Sequence, residues 1–101
     1  MKITIKNKEF DSGKMTLSKY KKYTEIRDKL SEKDVYTYED LEYMIDILVF
    51  VFDNQFTKED IEEDFEVDEI IYNFLRVDIE IVEKLDKKIE KTNKLFTKDK
   101  K

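Results

Sequence analysis

The chain opens with a strict alternation of apolar and polar residues. Met1, Ile3 and Ile5 are each followed by a polar residue, and this period of two is typical of a half-buried β-strand. Asn7–Lys8 predicts a turn, because asparagine tolerates positive φ angles, and residues 9–11 then return as a second strand. An isolated hairpin is barely stable in water. The hairpin predicted over residues 1–11 must therefore pack on helices or on another subunit.

Beyond Ser12–Gly13 the spacing of apolar residues changes to steps of three and four, which indicates amphipathic helices. Gly13, the only glycine in the chain, is predicted to take a backbone angle that other residues resist. Thr16, Thr37 and Thr57 are predicted N-caps, and Thr37 with Asp40 resembles a short capping box. The predicted helices span residues 17–30, 38–53, 58–65 and 67–91.

The second and fourth helices are the most apolar. Residues 45–52 are nearly apolar all round, which favours a helix buried on several sides, although valine and phenylalanine also favour strands. In the fourth helix, Ile70, Phe74, Val77, Ile81 and Leu85 form one line, and Ile71, Leu75, Val82 and Ile89 form its neighbour. Residues 97–101 lack this periodicity and are predicted to be a flexible, lysine-rich tail.

These elements predict one domain over residues 1–96, with no internal repeat. The fold class is α+β, mainly α: an N-terminal β-hairpin followed by about four helices packed as a small bundle. At 101 residues, such a chain can bury roughly two thirds of the surface that it exposes when unfolded. One modest core is therefore within reach without disulfides.

The composition removes most kinds of catalytic site. The chain has no cysteine, no histidine and one glycine, so it cannot build a Ser–His triad, a His/Cys metal site or a glycine-rich phosphate loop. No pair of carboxylates stands out as a catalytic pair. We therefore expect no enzyme activity and no cofactor. The longest apolar run, residues 47–52, is far too short to span a membrane.

Charge is distributed unevenly along the chain. The formal net charge of −5 argues against non-specific nucleic-acid binding, which needs a basic surface. Residues 59–69 are strongly acidic, and lysine dominates from Lys84 onward. The acidic run has three interpretations: two helix N-termini carrying favourable charge, a hard-cation site, or a mimic of DNA phosphates. It lacks the glycine and the alternating ligands of a calcium-binding loop.

Several apolar side chains are candidates for contacts with other proteins. The nearly all-apolar second helix needs more cover than a hairpin and three helices easily supply, so its aromatic residues are predicted either to fill the core or to extend into an oligomer interface. The hairpin likewise packs internally or pairs its edge with a neighbouring chain. The candidate interface residues are Ile3, Ile5, Phe10, Phe50, Phe52, Phe56, Ile70 and Phe74.

Three segments together resemble the tail assembly chaperones of long-tailed, non-contractile bacteriophages. The opening MKITIKNKEF and the lysine- and tyrosine-rich TLSKYKKYTEIRDKL resemble their N-terminal hairpin and first helix. The segment VFVFDNQFTKEDIEEDFEVDEIIYNFL resembles their second signature, in which an apolar helix, Phe52–Phe56 and Thr57–Ile61 lead into a long helix from Val67. The lack of alanine and proline, and the presence of only two arginines, indicate a gene from an AT-rich genome, such as that of a low-GC bacterium or its phage. This bias fits what the resemblance implies, a phage of a low-GC Gram-positive host.

The resemblance implies a binding role without catalysis. Such chaperones coat the tape measure protein before the tail tube forms, keep it soluble and help recruit tail tube subunits. They act in the host cell cytoplasm and are absent from the mature virion. Many exist also in a longer form made by ribosomal frameshifting, and the codons for Lys100–Lys101 are a candidate slippery site. The implied partners are the tape measure protein, the tail tube protein and other copies of the chain, with neither nucleic acid nor membrane. The alternative function is an acidic phage-encoded inhibitor or DNA mimic that binds a host protein.

Overall fold

The structure, a computed structural model, describes residues 1–99 and their side chains as far as Thr92. Two strands precede four helices, as the α+β, mainly α prediction requires. The elements are β1 (Lys2–Ile5), β2 (Lys8–Asp11), α1 (Leu17–Leu30), α2 (Tyr38–Val51), α3 (Lys58–Asp64) and α4 (Val67–Asp99).

Strands β1 and β2 form the predicted antiparallel hairpin, with Ile5 paired to Lys8. The turn is Lys6–Asn7, one residue earlier than the predicted Asn7–Lys8, and both residues have positive φ angles, 51° and 66°. That combination belongs to a two-residue type I′ turn, whose twist suits a hairpin. One face of β1 is buried through Ile3 and Ile5, in agreement with the alternation.

Threonine caps begin the first three helices. The Thr16 hydroxyl accepts a hydrogen bond from the backbone of Lys19. Thr37 and Thr57 each form a complete capping box with the aspartate three residues later, Asp40 and Asp60. These bonds satisfy N–H groups that a helix leaves free in its first turn. The predicted caps are therefore confirmed. Helix α2 ends two residues before its predicted end and α3 one residue before.

A sharp turn after α2 directs the chain toward α3. Asp53 and Asn54 both have positive φ angles, 57° and 58°, a conformation that aspartate and asparagine tolerate better than other non-glycine residues. The Asn54 N–H donates to the Val49 carbonyl at 3.0 Å, and the Gln55 side chain donates to the Asp11 carbonyl at 2.7 Å. The turn thus ends α2 and fastens it to the end of β2.

Helix α2 runs through the middle of the core. Ile45, Ile47, Leu48 and Val51 are buried on different sides of it, which confirms a helix rather than a strand for this stretch. Between α1 and α4, the ring centroids of Tyr23 and Phe74 lie 4.9 Å apart. The other buried apolar residues are Met1, Ile3, Ile5, Leu30, Met44, Phe52, Phe56, Ile61, Ile70 and Val77.

Helix α4 is longer than the core that covers it. Its inward residues are buried up to Val77, Ile81 is partly buried against the core, and residues 82–92 are exposed throughout. The helix extends to Asp99, beyond the predicted end at residue 91, and the subunit is consequently elongated, with extents of 56 × 33 × 23 Å. The predicted tail, residues 97–101, begins inside this helix. Residues 100 and 101 lie outside the described part, so the flexibility of the tail stays a prediction.

Candidate protein-binding surface

The structure brings most of the predicted interface residues together in the interior. Phe10, Phe52 and Phe56 form an aromatic cluster, with ring centroids 5.2 Å apart for Phe10 and Phe56 and 5.4 Å for Phe52 and Phe56. Of the eight candidates, only Phe10 and Phe50 are partly exposed. The side chains buried in the core of the single subunit are Ile3, Ile5, Phe52, Phe56, Ile70 and Phe74. Contact of any of the eight with a partner stays a prediction.

The apolar surface lies instead along α4. Tyr72, Leu75, Ile79 and Val82 are 60%, 43%, 47% and 53% exposed and follow one another at steps of three, four and three residues. This spacing places them in one row on the outer side of the helix, away from Phe74. We call this row the outer stripe. Its period is the one that apolar residues show where two helices pack against each other.

The inward line of α4 also continues past the core. The buried Phe74 and Val77 and the partly buried Ile81 are followed at the next helical step by Leu85, which is 52% exposed, and then by Ile89. We call residues 83–92 the overhang. Lys84, Lys88 and Lys91 follow one flank of its apolar residues at steps of four and three. The overhang is thus an amphipathic helical segment with one basic flank and no cover from its own core.

An apolar groove lies at the other end of α4. Its volume is about 270 Å³, and the start of α4 supplies one wall through Val67 and Ile70. Helix α2 supplies the facing wall, and α3 with the residue after it closes one end. Two carboxylates, Glu42 and Glu62, stand among otherwise apolar and aromatic residues. The remaining lining residues are Tyr38, Leu41, Ile45 and Phe65.

The outer face of α2 continues the acidic rim of this groove. Glu39, Glu42 and Asp46 line a shallow depression beside it together with Tyr43. Glu42 is paired with the Lys58 ammonium across the helix pair. Four carboxylates, Glu39, Glu42, Asp46 and Glu62, thus line the groove and the depression beside it, and this surface is acidic.

A second apolar cavity, a depression of about 270 Å³, lies where the start of α1 approaches α4. Met15, Leu17, Tyr20 and Ile81 line it, together with Thr16. Leu17, the first residue of α1, is largely exposed. The depression therefore adds apolar surface at the point where α4 leaves the core.

Polar contacts from α1 fix the orientation of α4 at its midpoint. The Tyr23 hydroxyl donates to Oδ2 of Asp78 at 2.8 Å, and the Arg27 guanidinium donates to Oδ1 of the same carboxylate at 3.0 Å. Burial, and then the hydrogen bond to Asp78, raise the pKa of Tyr23 well above its ordinary value. The tyrosine is therefore neutral at physiological pH and remains a hydrogen-bond donor. These bonds fix the rotation of α4 about its axis, and so determine which side of the helix is buried and which is exposed.

The acidic run does not form one surface. Asp60, Glu63 and Asp64 contact the hairpin turn at Lys6, whereas Glu62 faces the groove. Asp60 also caps α3, and its bond from the Thr57 N–H, followed by the Lys6 ammonium, lowers its pKa. In the part of the chain with described side chains, no group of three or more carboxylates is placed to hold a metal ion. The run serves helix capping and hairpin anchoring.

The sequence places Leu75 and Val82 on the second of two adjacent apolar lines of this helix, and neither line includes Tyr72 or Ile79. The three- and four-residue spacing that marks the outer stripe is visible in the sequence. What the spacing alone does not give is how much of that wide apolar face the rest of a small domain can cover. Among the described residues, no helix is both long enough and apolar enough to cross a membrane.

One of the comparisons with known proteins identifies a family. The profile of a family described as "Phage tail chaperone protein" matches residues 1–99, which is nearly the whole chain. Neither the curated proteins nor the solved structures gave a match.

Proposed function

We propose that this chain, which belongs to the phage tail chaperone family, binds the tape measure protein while the tail assembles and keeps its apolar segments in solution. A role in tail assembly follows from the family, and the family assignment implies a role without catalysis. The more specific statement about the partner rests on the shape and chemistry of α4.

The observation that carries the proposal is the outer stripe. Four apolar side chains at helical spacing stand 43–60% exposed on a helix whose rotation is fixed by Tyr23, Arg27 and Asp78. An exposed apolar row of this kind marks a binding site for another apolar surface, and an amphipathic helix of the partner fits its spacing. A long helical protein that carries apolar residues along its length offers many such segments.

The proposal extends to the other steps of tail assembly. Many copies of the chain would coat one tape measure protein, which requires association between the copies. A frameshift-extended form would contact the tail tube protein and recruit its subunits. These steps take place in the host cell cytoplasm, and the chaperone leaves before the virion is complete. That the phage is long-tailed and infects a low-GC Gram-positive host also remains a proposal.

Co-expression with the tape measure protein from the same phage tests the proposed function. We expect the tape measure protein to be recovered in the soluble fraction with the chaperone, and to lose that solubility when it is expressed alone. The variant Ile79→Ser with Val82→Ser is expected to weaken the complex at least tenfold, because it removes two apolar contacts from the stripe.

The matched control is Glu83→Ser, which changes an exposed residue of the same helix beside the stripe. It should bind as the unchanged protein does. Circular dichroism of the double variant should show full helicity, since the substituted side chains are exposed. Tape measure protein that stays insoluble with the unchanged chaperone would contradict the function. Undiminished binding by the folded double variant would contradict the assignment of the outer stripe.

A further inference from the structure

Two apolar features of the subunit lie at opposite ends of α4, and neither is covered within the subunit. At the start of the helix, the groove has the 58% exposed Val67 beside the buried Ile70. The overhang presents Leu85 and Ile89 at 52% and 47% exposure. The shapes of the groove and the overhang are complementary. The groove is concave and bounded by two helices, and the overhang is a single convex helix with a narrow apolar line.

The charges of the two features are opposite. The overhang has four lysines against three carboxylates, and three of those lysines share one flank of the helix. The groove and the depression beside it are lined by the four carboxylates Glu39, Glu42, Asp46 and Glu62. Lys84, Lys88 and Lys91 flank the apolar line of the overhang, while Glu42 and Glu62 stand in the groove. An apolar contact between the two would therefore be bordered by opposite charges, which selects the partner and its orientation.

The overhang cannot reach the groove of its own subunit. Leu85 follows Ile70 by fifteen residues of one continuous helix, and at a rise of 1.5 Å per residue the two are about 22 Å apart along its axis. A helix held rigidly by its hydrogen bonds does not fold back on its own start. Only a second chain can bring an overhang to this groove.

We propose that the overhang of one subunit docks in the α2–α3–α4 groove of a second copy of this chain, with Leu85 and Ile89 in the groove and the Lys88 flank beside Glu62. This inference rests on the self-association proposed above and names the two surfaces that produce it. The contact is heterologous, because it joins two different surfaces, and it can therefore be repeated from copy to copy.

The contact should be weak for one pair of subunits. A helical segment of about ten residues in one groove buries less area than the roughly 1,200 Å² that a stable interface needs. Association should therefore increase with protein concentration and decrease with salt, since exposed charge pairs are screened. A template that carries many binding sites would raise the effective concentration of the copies and favour the contact.

Disulfide trapping tests the geometry directly, because the chain contains no cysteine. Tyr38→Cys places a thiol at the rim of the groove, and Ile89→Cys places one on the overhang. When the two single-cysteine proteins are mixed under mild oxidation, we expect a mixed disulfide dimer to form at least ten times faster than with Tyr72→Cys in place of Tyr38→Cys. Equal rates with the two partners would overturn the proposal.

A charge exchange tests the same contact without new bonds. Lys88→Glu or Glu62→Lys alone should lower self-association several-fold in light scattering, and an equal mixture of the two variants should recover it. Lys87→Glu is the matched control, since it makes the same change on the far side of the helix from Leu85 and Ile89. The proposal fails if Lys88→Glu and Lys87→Glu behave alike, or if the mixture does not recover.

These measurements use the chaperone alone, so they separate the inference from the proposed function. If Lys88→Glu abolishes trapping and still binds the tape measure protein through the outer stripe, both stand. The other outcome is that Tyr38→Cys and Ile89→Cys, with Lys88 unchanged, form no mixed disulfide while the tape measure protein is still solubilised. The docking inference is then wrong, and the proposed function is unaffected.

Discussion

The backbone N–H of Lys6 donates a 2.9 Å hydrogen bond to Oδ2 of Asp64, joining the hairpin turn to the end of α3 across 58 residues of sequence. The ammonium group of the same lysine lies 2.7 Å from Glu63 and 3.2 Å from Asp60. One residue in a strained turn is thus held at both its backbone and its side chain. The acidic character of α3 has a structural role in this anchoring.

We expect Asp64→Ala to loosen the hairpin. The Lys6 N–H would lose its acceptor, and a hydrogen bond to a charged but exposed group contributes about 1 kcal/mol to the free energy of unfolding. Hydrogen exchange measured by NMR should be faster for the amides of β1 and β2 than in the unchanged protein. Asp34→Ala, in the exposed loop before α2, is the control and should leave these rates unchanged.

Stability should fall in acid through Asp40. The Lys33 ammonium, 2.8 and 2.9 Å from the two carboxylate oxygens, and then the Thr37 N–H lower the pKa of Asp40. The carboxylate is thus favoured in the folded state, so its contribution is complete above the unfolded pKa of about 3.9 and is lost as the pH falls through the lowered folded value.

Urea denaturation of Asp40→Asn across pH measures this contribution. The variant should have a lower midpoint than the unchanged protein at pH 7, and the two midpoints should converge below pH 4. A difference in midpoints that is the same at pH 7 and at pH 3 would show that the aspartate charge is not responsible.

Truncation of two adjacent residues of α4 should lower the free energy of unfolding by very different amounts. Phe74 is 1% exposed and packs on Tyr23, whereas Leu75 is 43% exposed on the outer stripe. Phe74→Ala should lower the free energy of unfolding by about 3–5 kcal/mol, which is the usual cost of such a cavity. Leu75→Ala should lower it by less than about 1 kcal/mol, as for other surface changes. Urea titrations of both variants check this, and similar losses would contradict the assigned faces.

The same two residues show what the sequence can and cannot predict. The hairpin, the helix order and the threonine caps could be predicted, because each depends on residues close together in the chain. Which apolar line of α4 is covered depends on how far α1, α2 and the hairpin reach along it, and only the packed structure supplies this. Leu75 and Phe74 both fit the pattern of a buried helix face, and 42 percentage points of exposure separate them.

The turn after α2 should tolerate glycine but not alanine at residue 54. Asn54 has a φ angle of 58°, where a Cβ atom costs roughly 1–2 kcal/mol unless the side chain is asparagine or aspartate. Asn54→Ala should therefore lower the free energy of unfolding by about 1 kcal/mol, whereas Asn54→Gly should change it by less than about 0.5 kcal/mol. Thermal denaturation of the pair checks the order, and an alanine variant as stable as the glycine variant would refute it.

The anchoring of the hairpin has a consequence for synthesis of the chain on the ribosome. The hairpin is made before the helices, and Asp64 follows Lys6 by 58 residues. Synthesis of those residues takes roughly 3 to 12 seconds at ordinary translation rates. Until α3 and α4 have been made, Ile3 and Ile5 lack part of the core that surrounds them in the finished subunit. A two-stranded hairpin by itself is only marginally stable. The N-terminal residues therefore become stably folded only after the second half of the chain has emerged from the ribosome.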